Sequence, residues 1–292
     1  MEIVADRELE QPAAATGAVS AFSGGVDSCF TVFRHATGRA GRQAQTLRAG
    51  MIVHGFEIAL DDGAGFEGAA AKAEAMLADL GLDLVRMATN VRDFSQNWRY
   101  ARGAGVSACL MLLQPNARTG LVPSTEPYDL LVAPWGSHPL TDPHLSSASF
   151  QIVHDGAGWT RPDKIGEIGE WPQALEFLRV CFLAEPRDGN CGTCEKCIRT
   201  ILGFRAAGLG LPPCFARDVT NTQIRSLGRL GPIEEAELRQ ILDAAERAGI
   251  RDSWVRAVTS VLYRNRRKDF LGLIGNHVRR RARAAAGGFR TA

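Results

Sequence analysis

The stretch Ala18–Ser28, AVSAFSGGVDS, decides how the rest of this chain is interpreted. Its first five residues are a short apolar run typical of a buried strand, and a glycine-containing turn follows at Ser23–Ser28. The residues after the turn, VDSCFTVFRHATG, have helical character and end near Gly38. A strand that passes through a glycine turn into a helix favours anion binding, because the glycines let backbone N–H groups approach a ligand at the helix N-terminus.

The side chains of this turn point to a phosphate ligand. The hydroxyls of Ser23 and Ser28 can donate to phosphate oxygens, whereas Asp27 suits holding Mg²⁺ or orienting the loop. The turn lacks the lysine of the G-x-x-x-x-G-K-[ST] pattern, which excludes a Walker-type NTPase. The structural alternative is an ordinary glycine-rich turn with a Ser/Asp cap. The residues predicted to bind the nucleotide phosphates are Ser23, Gly24, Gly25, Val26, Asp27 and Ser28.

Outward from this turn, strand-like and helix-like segments alternate. The predicted strands are Ala18–Phe22, Gly50–Phe56, Leu82–Met87 and Leu130–Pro134, and helices are predicted at 26–38, Glu67–Leu80 and Val106–Leu113. This alternation indicates βαβ units, and therefore an α/β fold with a Rossmann-like parallel sheet. Helices and loops predominate after residue 165. The predicted organisation is an N-terminal extension (1–17), a nucleotide-binding domain (18–165), a helical region (166–260) and a basic tail (261–292).

Composition sets outer limits on the class of protein. The chain has 292 residues, of which 45% are hydrophobic, so it can bury a sizeable core and is too apolar to be disordered. It contains no apolar run of about 18 residues, so no membrane span is predicted. The first residues, MEIVADRELEQ, carry acids where a signal peptide would be basic, which predicts a cytoplasmic location.

The formal net charge of +2 hides an asymmetry. Residues 261–292 hold nine Arg or Lys against one acid, which leaves 25 basic and 31 acidic groups in the remainder. A basic tail of this kind suits an anionic partner and makes nucleic acid a candidate, while a solvated chain end is the alternative.

Four of the seven cysteines fall within residues 181–197 and point to a metal site. They are Cys181, Cys191, Cys194 and Cys197, spaced C-x9-C-x2-C-x2-C. In a reducing compartment such crowding indicates metal binding rather than disulfides. Four thiolates suit a closed tetrahedral Zn²⁺ site, while an iron–sulfur cluster and free redox cysteines remain open alternatives.

Two motifs together carry a family resemblance. SGGVDS in its strand–loop–helix context resembles the PP-loop signature of the ATP pyrophosphatase superfamily. The cysteine pattern followed by Arg199 resembles one branch of it, the 7-cyano-7-deazaguanine synthases. The resemblance implies an adenine nucleotide alpha hydrolase-like fold, ATP with Mg²⁺, a structural zinc and adenine held near Val53, His54 and Gly55. Branch members often form dimers, so a homodimer is an open expectation.

The resemblance also implies an activity. ATP would adenylate a carboxylate or amide oxygen with release of pyrophosphate, and a nitrogen nucleophile would then displace AMP. Because this transfer concentrates negative charge on the departing pyrophosphate, cations are needed nearby. Arg161 and Lys164 are predicted for this role, with Arg102 a weaker candidate. The predicted catalytic residues are Ser23, Asp27, Ser28, Arg161 and Lys164.

The chain departs from that branch in its substrate loop. After the fourth strand the branch carries a Gly-Tyr-Pro-Asp-Cys-Arg segment, whereas this chain has WGSHPLTDPH at 135–144. The ATP and zinc machinery is therefore expected to carry over with a changed acceptor, a small molecule or a peptide. Because loops at the carboxyl ends of parallel strands contact ligands, substrate contacts are predicted here. The residues concerned are Trp135, Gly136, Ser137, His138 and Asp142.

Two other functions remain open from the sequence. One is an RNA-thiolating PP-loop enzyme, in which the cysteines hold an iron–sulfur cluster and the basic tail binds RNA. The other is a non-catalytic nucleotide-binding protein that keeps the loop without turnover.

Overall fold

A computed structural model describes residues 15–95, 97–131 and 135–267 of the chain. These residues form a five-stranded, all-parallel sheet flanked by helices, which confirms the predicted α/β class. The strands are β1 (Ala18–Ala21), β2 (Leu47–His54), β3 (Asp83–Ala88), β4 (Thr119–Pro123) and β5 (Gln151–Asp155). The helices are α1 (Val26–Ala36), α2 (Gly63–Asp79), α3 (Trp98–Met111), α4 (Arg161–Ile168), α5 (Pro172–Phe177), α6 (Glu195–Ala206), α7 (Asn221–Arg225), α8 (Pro232–Arg247) and α9 (253–267).

The strand order β3-β2-β1-β4-β5 places β1 at the centre of the sheet. The chain runs outward from β1 through β2 to β3, and then returns to pair β4 with the other side of β1. This reversal opens a crevice at the carboxyl ends of β1 and β4, where parallel α/β sheets bind their ligands. The SGGVDS loop leaves β1 directly into that crevice.

The fourth strand is not where the sequence predicted it. It is formed by Thr119–Pro123, whereas Leu130 ends a 3₁₀ turn that begins at Tyr128. Residues 132–134, the rest of the predicted strand, lie outside the described residues. Thr119–Pro123 is a weak strand pattern because it contains Gly120, but close packing favours a glycine there. A Cβ on Gly120 would lie 2.9 Å from the Phe150 ring.

The two faces of the sheet are covered by different helices. Helix α3 packs on one face, whereas α1, α2 and the C-terminal helices share a larger core on the other. Trp171, just before α5, contacts both α1 and α2 within that larger core. Its ring stacks on Phe33 at 5.4 Å between centroids, and its Nε1 donates to Asp79 at 2.8 Å. Burying a side chain of this size contributes on the order of 1.5–3 kcal/mol.

The expected boundary after residue 165 marks a change in secondary structure within a continuous core. It falls inside α4, and Ile165 and Ile168 of that helix pack in the same core as Phe30 of α1 and Ile201 of α6. Residues 1–14 of the predicted extension and 268–292 of the basic tail lie outside the described residues. Within the described ranges, no helix has the length and apolar character needed to cross a membrane.

Candidate active site

A cavity of about 990 Å³ opens at the carboxyl ends of β1, β2 and β4. Its volume is at the upper end of the range of roughly 300–1,000 Å³ for small-molecule sites. Most of the residues predicted to bind nucleotide or substrate lie on its wall. They are Ser23, Gly25, Val26, Asp27, Ser28, Val53, Trp135, Ser137 and Arg161.

The SGGVDS loop is held by hydrogen bonds among its own residues. The Ser28 hydroxyl donates to the Gly25 carbonyl at 3.0 Å and accepts from the Ser23 backbone N–H at 3.2 Å. Gly24 adopts φ +74°, a left-handed conformation that favours glycine. Gly24 itself does not line the cavity, since its Cα faces Met76 and Arg179 instead. The loop therefore presents the N-terminus of α1 and two serine hydroxyls to the cavity.

Asp27 is fixed by two cations from α4. Arg161 Nη1 donates to one of its carboxylate oxygens at 3.0 Å, and Lys164 Nζ donates to the other at 3.0 Å. Lys164 also donates to the Ser124 carbonyl just after β4, and it does not line the cavity. Burial acts to raise the pKa of Asp27, but the charges of Lys164 and Arg161 outweigh it and hold the pKa below its usual value. Of the two roles predicted for Asp27, this geometry favours orienting the loop.

Four more groups extend this charged wall. Arg199 of α6 pairs with Glu195 on its own helix and with Glu237 of α8, and Glu126 lies just after β4. We define the Asp27 cluster as Asp27, Glu126, Arg161, Lys164, Glu195, Arg199 and Glu237. It contains four carboxyl groups and three cations.

A second group of charged residues on the cavity wall carries the reverse balance of charge. Glu57, just after β2, pairs with Arg102 at 2.9 Å and with Arg179 at 3.3 Å. Arg179 also donates to the Ser23 carbonyl at 3.2 Å, so it lies directly against the SGGVDS loop. Lys196 Nζ lies over the Phe182 ring, 3.6 Å from its centroid. We define the Glu57 cluster as Glu57, Arg102, Arg179 and Lys196, which contains one carboxyl group and three cations.

Burial changes the titration of this second cluster. It lowers the pKa of Lys196 to about 8, against the opposing attraction of Glu57. Burial acts to raise the pKa of Glu57, but Lys196, Arg179 and Arg102 hold it below the usual value. The cluster therefore keeps an excess of positive charge beside the loop, which suits an anionic ligand.

His54 and Gly55 do not line the cavity, although adenine was predicted to lie near them. His54 stacks on Phe66 at 4.3 Å between ring centroids, and its Nε2 lies 2.7 Å from the Ala59 carbonyl. Gly55 adopts φ +99° in a turn where a Cβ would meet the Thr89 carbonyl oxygen at 1.9 Å. The chain reverses here and places Phe56 and Glu57 on the cavity wall instead.

The predicted substrate loop reaches the cavity through Trp135 and Ser137 only. Gly136 faces α3, where its N–H donates to the Arg99 carbonyl at 3.0 Å. Asp142 is buried and binds His154 Nδ1 at 2.7 Å, the Ser137 hydroxyl at 2.6 Å and the His138 N–H at 3.0 Å. Asp142 and His138 therefore shape the loop and do not line the cavity.

The cavity end formed by this loop is aromatic and cationic. Arg99 lies 4.8 Å above the Trp135 ring, and the Trp98 ring tilts against Phe56 at 4.8 Å between centroids. The indole N–H of Trp135 is buried without a hydrogen-bond partner among the described residues. This end can therefore stack a planar group and donate a hydrogen bond to it.

The four predicted metal ligands converge at the start of α6. The sulfur atoms of Cys181, Cys191, Cys194 and Cys197 all lie within 4.8 Å of one another. Two of the sulfur pairs are separated by 3.7 and 3.9 Å. A tetrahedral ion with bonds of about 2.3 Å separates its ligands by roughly 3.8 Å. The cluster could therefore hold one metal ion such as zinc, whereas a cluster with one thiolate per iron separates its ligands further.

The cysteine cluster also positions two residues of the cavity wall. Cys194 caps the N-terminus of α6, because its sulfur accepts from the Cys197 N–H. Lys196 and Arg199 follow in the first turns of that helix, one in each charged cluster. Order in the cysteine loop thus fixes one cation of each cluster.

The charged cavity residues missed from the sequence include Glu126, Arg179 and Lys196. Lys196 could have been found from its place between two predicted metal ligands. Arg179 has no local signal, since it reaches the loop only through the packing of α5. Comparison with protein-family models, curated proteins and solved structures returns no match for this chain.

Proposed function

We propose that this chain is an ATP-dependent, AMP-forming ligase or synthase of the PP-loop type. It adenylates a carboxylate or amide oxygen of an acceptor, releases pyrophosphate and lets a nitrogen nucleophile displace AMP. The observation that carries the proposal is the position of the SGGVDS loop. It lies at the reversal of the strand order, with the Glu57 cluster directly against it.

The cavity wall supplies what the first step needs. An acceptor oxygen attacks the α-phosphorus of ATP, and the bond to the bridging oxygen breaks with its electron pair on pyrophosphate. Arg179 and Lys196 face the loop where that charge develops, and preorganised cations in a partly buried site stabilise such charge strongly. In this proposal Mg²⁺ arrives with the nucleotide and neutralises its phosphates, since both Asp27 oxygens are engaged by Arg161 and Lys164.

The cysteine site has a structural role in this proposal. Four thiolates complete the tetrahedral coordination of zinc and leave no open position for a substrate. The site orders α6 and its cations, and an adenine nucleotide alpha hydrolase-like fold is part of the proposal. The same assignment predicts one zinc per chain in the purified protein. Iron with labile sulfide would instead support the thiolating alternative.

Nucleotide binding is the first test, because it needs no acceptor. The probe is α,β-methylene-ATP with Mg²⁺, titrated calorimetrically into the wild type, Gly25→Ala and Gly63→Ala. At Gly25 an added methyl lies on the loop and meets only the Ser23 hydroxyl at 3.3 Å and the Arg179 carbonyl at 3.6 Å. At Gly63, the matched control on α2, a Cβ meets nothing within 4 Å.

We expect Gly25→Ala to weaken binding by about tenfold or more, since one displaced charge-assisted hydrogen bond is worth about 1.5–3 kcal/mol. Gly63→Ala should bind like the wild type. Equal affinity in all three proteins would overturn the nucleotide site. Where binding is confirmed, pyrophosphate release on a panel of carboxylates then tests the adenylating step itself.

A further inference from the structure

Glu126 is a buried acid whose carboxyl group has no partner. It lies just after β4 on the cavity wall, is 6% exposed, and is close enough to the SGGVDS loop for Asp27 to act on its pKa. Neither carboxyl oxygen has a hydrogen-bond partner among the described residues. Its backbone is fixed, since the Ser124 hydroxyl donates to the Glu126 carbonyl at 2.7 Å. An acid left in this state is costly to the fold, which points to a ligand that the side chain receives.

The groups facing Glu126 are already committed to one another. They are Asp27 from α1, Arg161 and Lys164 from α4, and Arg199 from α6. Arg161 and Lys164 pair with Asp27, while Arg199 pairs with Glu195 and Glu237. With four carboxyl groups and three cations, the Asp27 cluster has no uncommitted cation for an ionised Glu126, and Lys196, which also acts on Asp27, is shared with Glu57. Burial and, next, the Asp27 carboxylate raise the pKa of Glu126 to about 7.

The missing cation has a recognisable chemistry. Mg²⁺ demands near-octahedral oxygen coordination, but every other carboxylate in the cluster is already engaged by a cation. An ammonium ion needs only one carboxylate and a few acceptors, because its N–H groups donate in any direction. We propose that Glu126 binds the nitrogen nucleophile in its protonated form, as ammonium or a primary ammonium group, and accepts a proton from it. This assignment rests on the proposed function for the identity of the reaction.

The step balances without any further reactant. Glu126 takes one proton from the ammonium group and leaves a neutral amine with a free electron pair. The amine attacks the adenylated carbon, the C–N bond forms, and the bond to AMP breaks with its electron pair on the phosphate oxygen. The second proton leaves the nitrogen for solvent. A positioned base of this kind typically contributes a factor of about 10²–10⁴ to the rate.

Cation binding can be tested without ATP or acceptor. Thermal unfolding of the metal-loaded protein is followed against ammonium chloride at constant ionic strength, with potassium and tetramethylammonium chlorides as controls. The variants are Glu126→Gln, which keeps the shape, and Glu176→Gln, an exposed acid outside the cavity. We expect ammonium to stabilise the wild type and Glu176→Gln. Its half-maximal concentration should rise tenfold or more in Glu126→Gln.

The same titration separates the competing ligands. Methylammonium should act like ammonium, and stabilisation should strengthen between about pH 6 and pH 8 as Glu126 ionises. Equal ammonium stabilisation in Glu126→Gln would overturn the proposal. So would Glu126-dependent stabilisation by Mg²⁺ or Mn²⁺ alone, which would assign a divalent cation instead. Ammonium binding that survives while no carboxylate supports pyrophosphate release would refute the adenylating function and leave the cation site standing.

Discussion

The two charged clusters of the cavity wall use similar residues to opposite effect. The Glu57 cluster sets one carboxylate against three cations, whereas the Asp27 cluster sets four carboxyl groups against three. The first cluster suits an anion, and the second leaves the Glu126 carboxyl group without a hydrogen-bond partner among the described residues. An enzyme that joins an activated acid to an amine needs both an anion site and a cation site. In the proposed function, charge balance and not residue type distinguishes the anion site from the cation site.

Removal of the metal ion should perturb both charged clusters, and we expect it to have the largest effect on stability and nucleotide binding. Lys196 and Arg199 lie in the first turns of α6, the helix that Cys194 caps, so we expect loss of the ion to disorder one cation of each cluster. Structural zinc contributes roughly 10–16 kcal/mol of apparent binding energy. We expect chelation, or Cys191→Ser, to remove about one metal per chain, lower the melting temperature sharply and abolish nucleotide binding. Cys214→Ser, outside the cluster, is the matched control.

Metal content by mass spectrometry and thermal unfolding check this prediction together. A protein that keeps its melting temperature after complete loss of metal would show that the cysteine loop folds without an ion. In that case the link between the metal site and the two charged clusters would be wrong.

The second effect isolates the Asp27 cluster. Asp27→Ala leaves Arg161 and Lys164 without their shared partner, and Lys164 is 1% exposed. Removing one member of a buried ion pair costs about 3–5 kcal/mol, because the remaining charge is uncompensated. Chemical denaturation should show this loss, whereas Glu170→Ala at the exposed Arg39 pair should change little. A comparably small change for Asp27→Ala would mean that water replaces the carboxylate.

The sequence predicts the contiguous motifs well, and it predicts the two charged clusters of the cavity wall poorly. SGGVDS and the last three cysteines are nearly contiguous, so their local geometry follows from backbone rules and spacing. The clusters are assembled from separate parts of the chain that meet only through the strand order. Glu57 follows β2, Glu126 follows β4 and Arg179 follows α5, so no local pattern links them. The misplaced fourth strand had the same cause, since Thr119–Pro123 is defined by its neighbours and not by its own hydropathy.

The third effect concerns Glu126 and the pH dependence of stability. Because its pKa rises from 4.5 to about 7 on folding, the stability linked to this proton is full below about pH 4.5. It is lost as the pH rises through about 7, where the buried carboxyl must ionise. A shift of this size corresponds to roughly 3 kcal/mol. Glu126→Gln should therefore gain stability relative to the wild type between pH 5 and pH 8, measured by urea denaturation in sodium buffers.

Parallel pH profiles for the two proteins would contradict this prediction, since they would place Glu126 in contact with water. Repeating the two stability–pH profiles in ammonium buffers tests whether ammonium supplies the charge that Glu126 lacks. If ammonium supplies the missing charge, the difference between the two proteins should shrink near pH 8.

The smallest expected effect belongs to the Glu57 cluster. Burial holds the pKa of Lys196 at about 8, so part of the free protein carries this amine uncharged at that pH. An anionic triphosphate beside it favours the charged form and raises the pKa, so binding must take up a fraction of a proton. Calorimetric titrations of α,β-methylene-ATP in buffers of different ionisation enthalpy measure that uptake. Lys196→Met should abolish the proton uptake and weaken binding by about tenfold. The control is Lys72→Met on α2, where Lys72 pairs with Asp188, and it should change neither the proton uptake nor the affinity. Proton release instead of uptake would place the phosphates away from this wall.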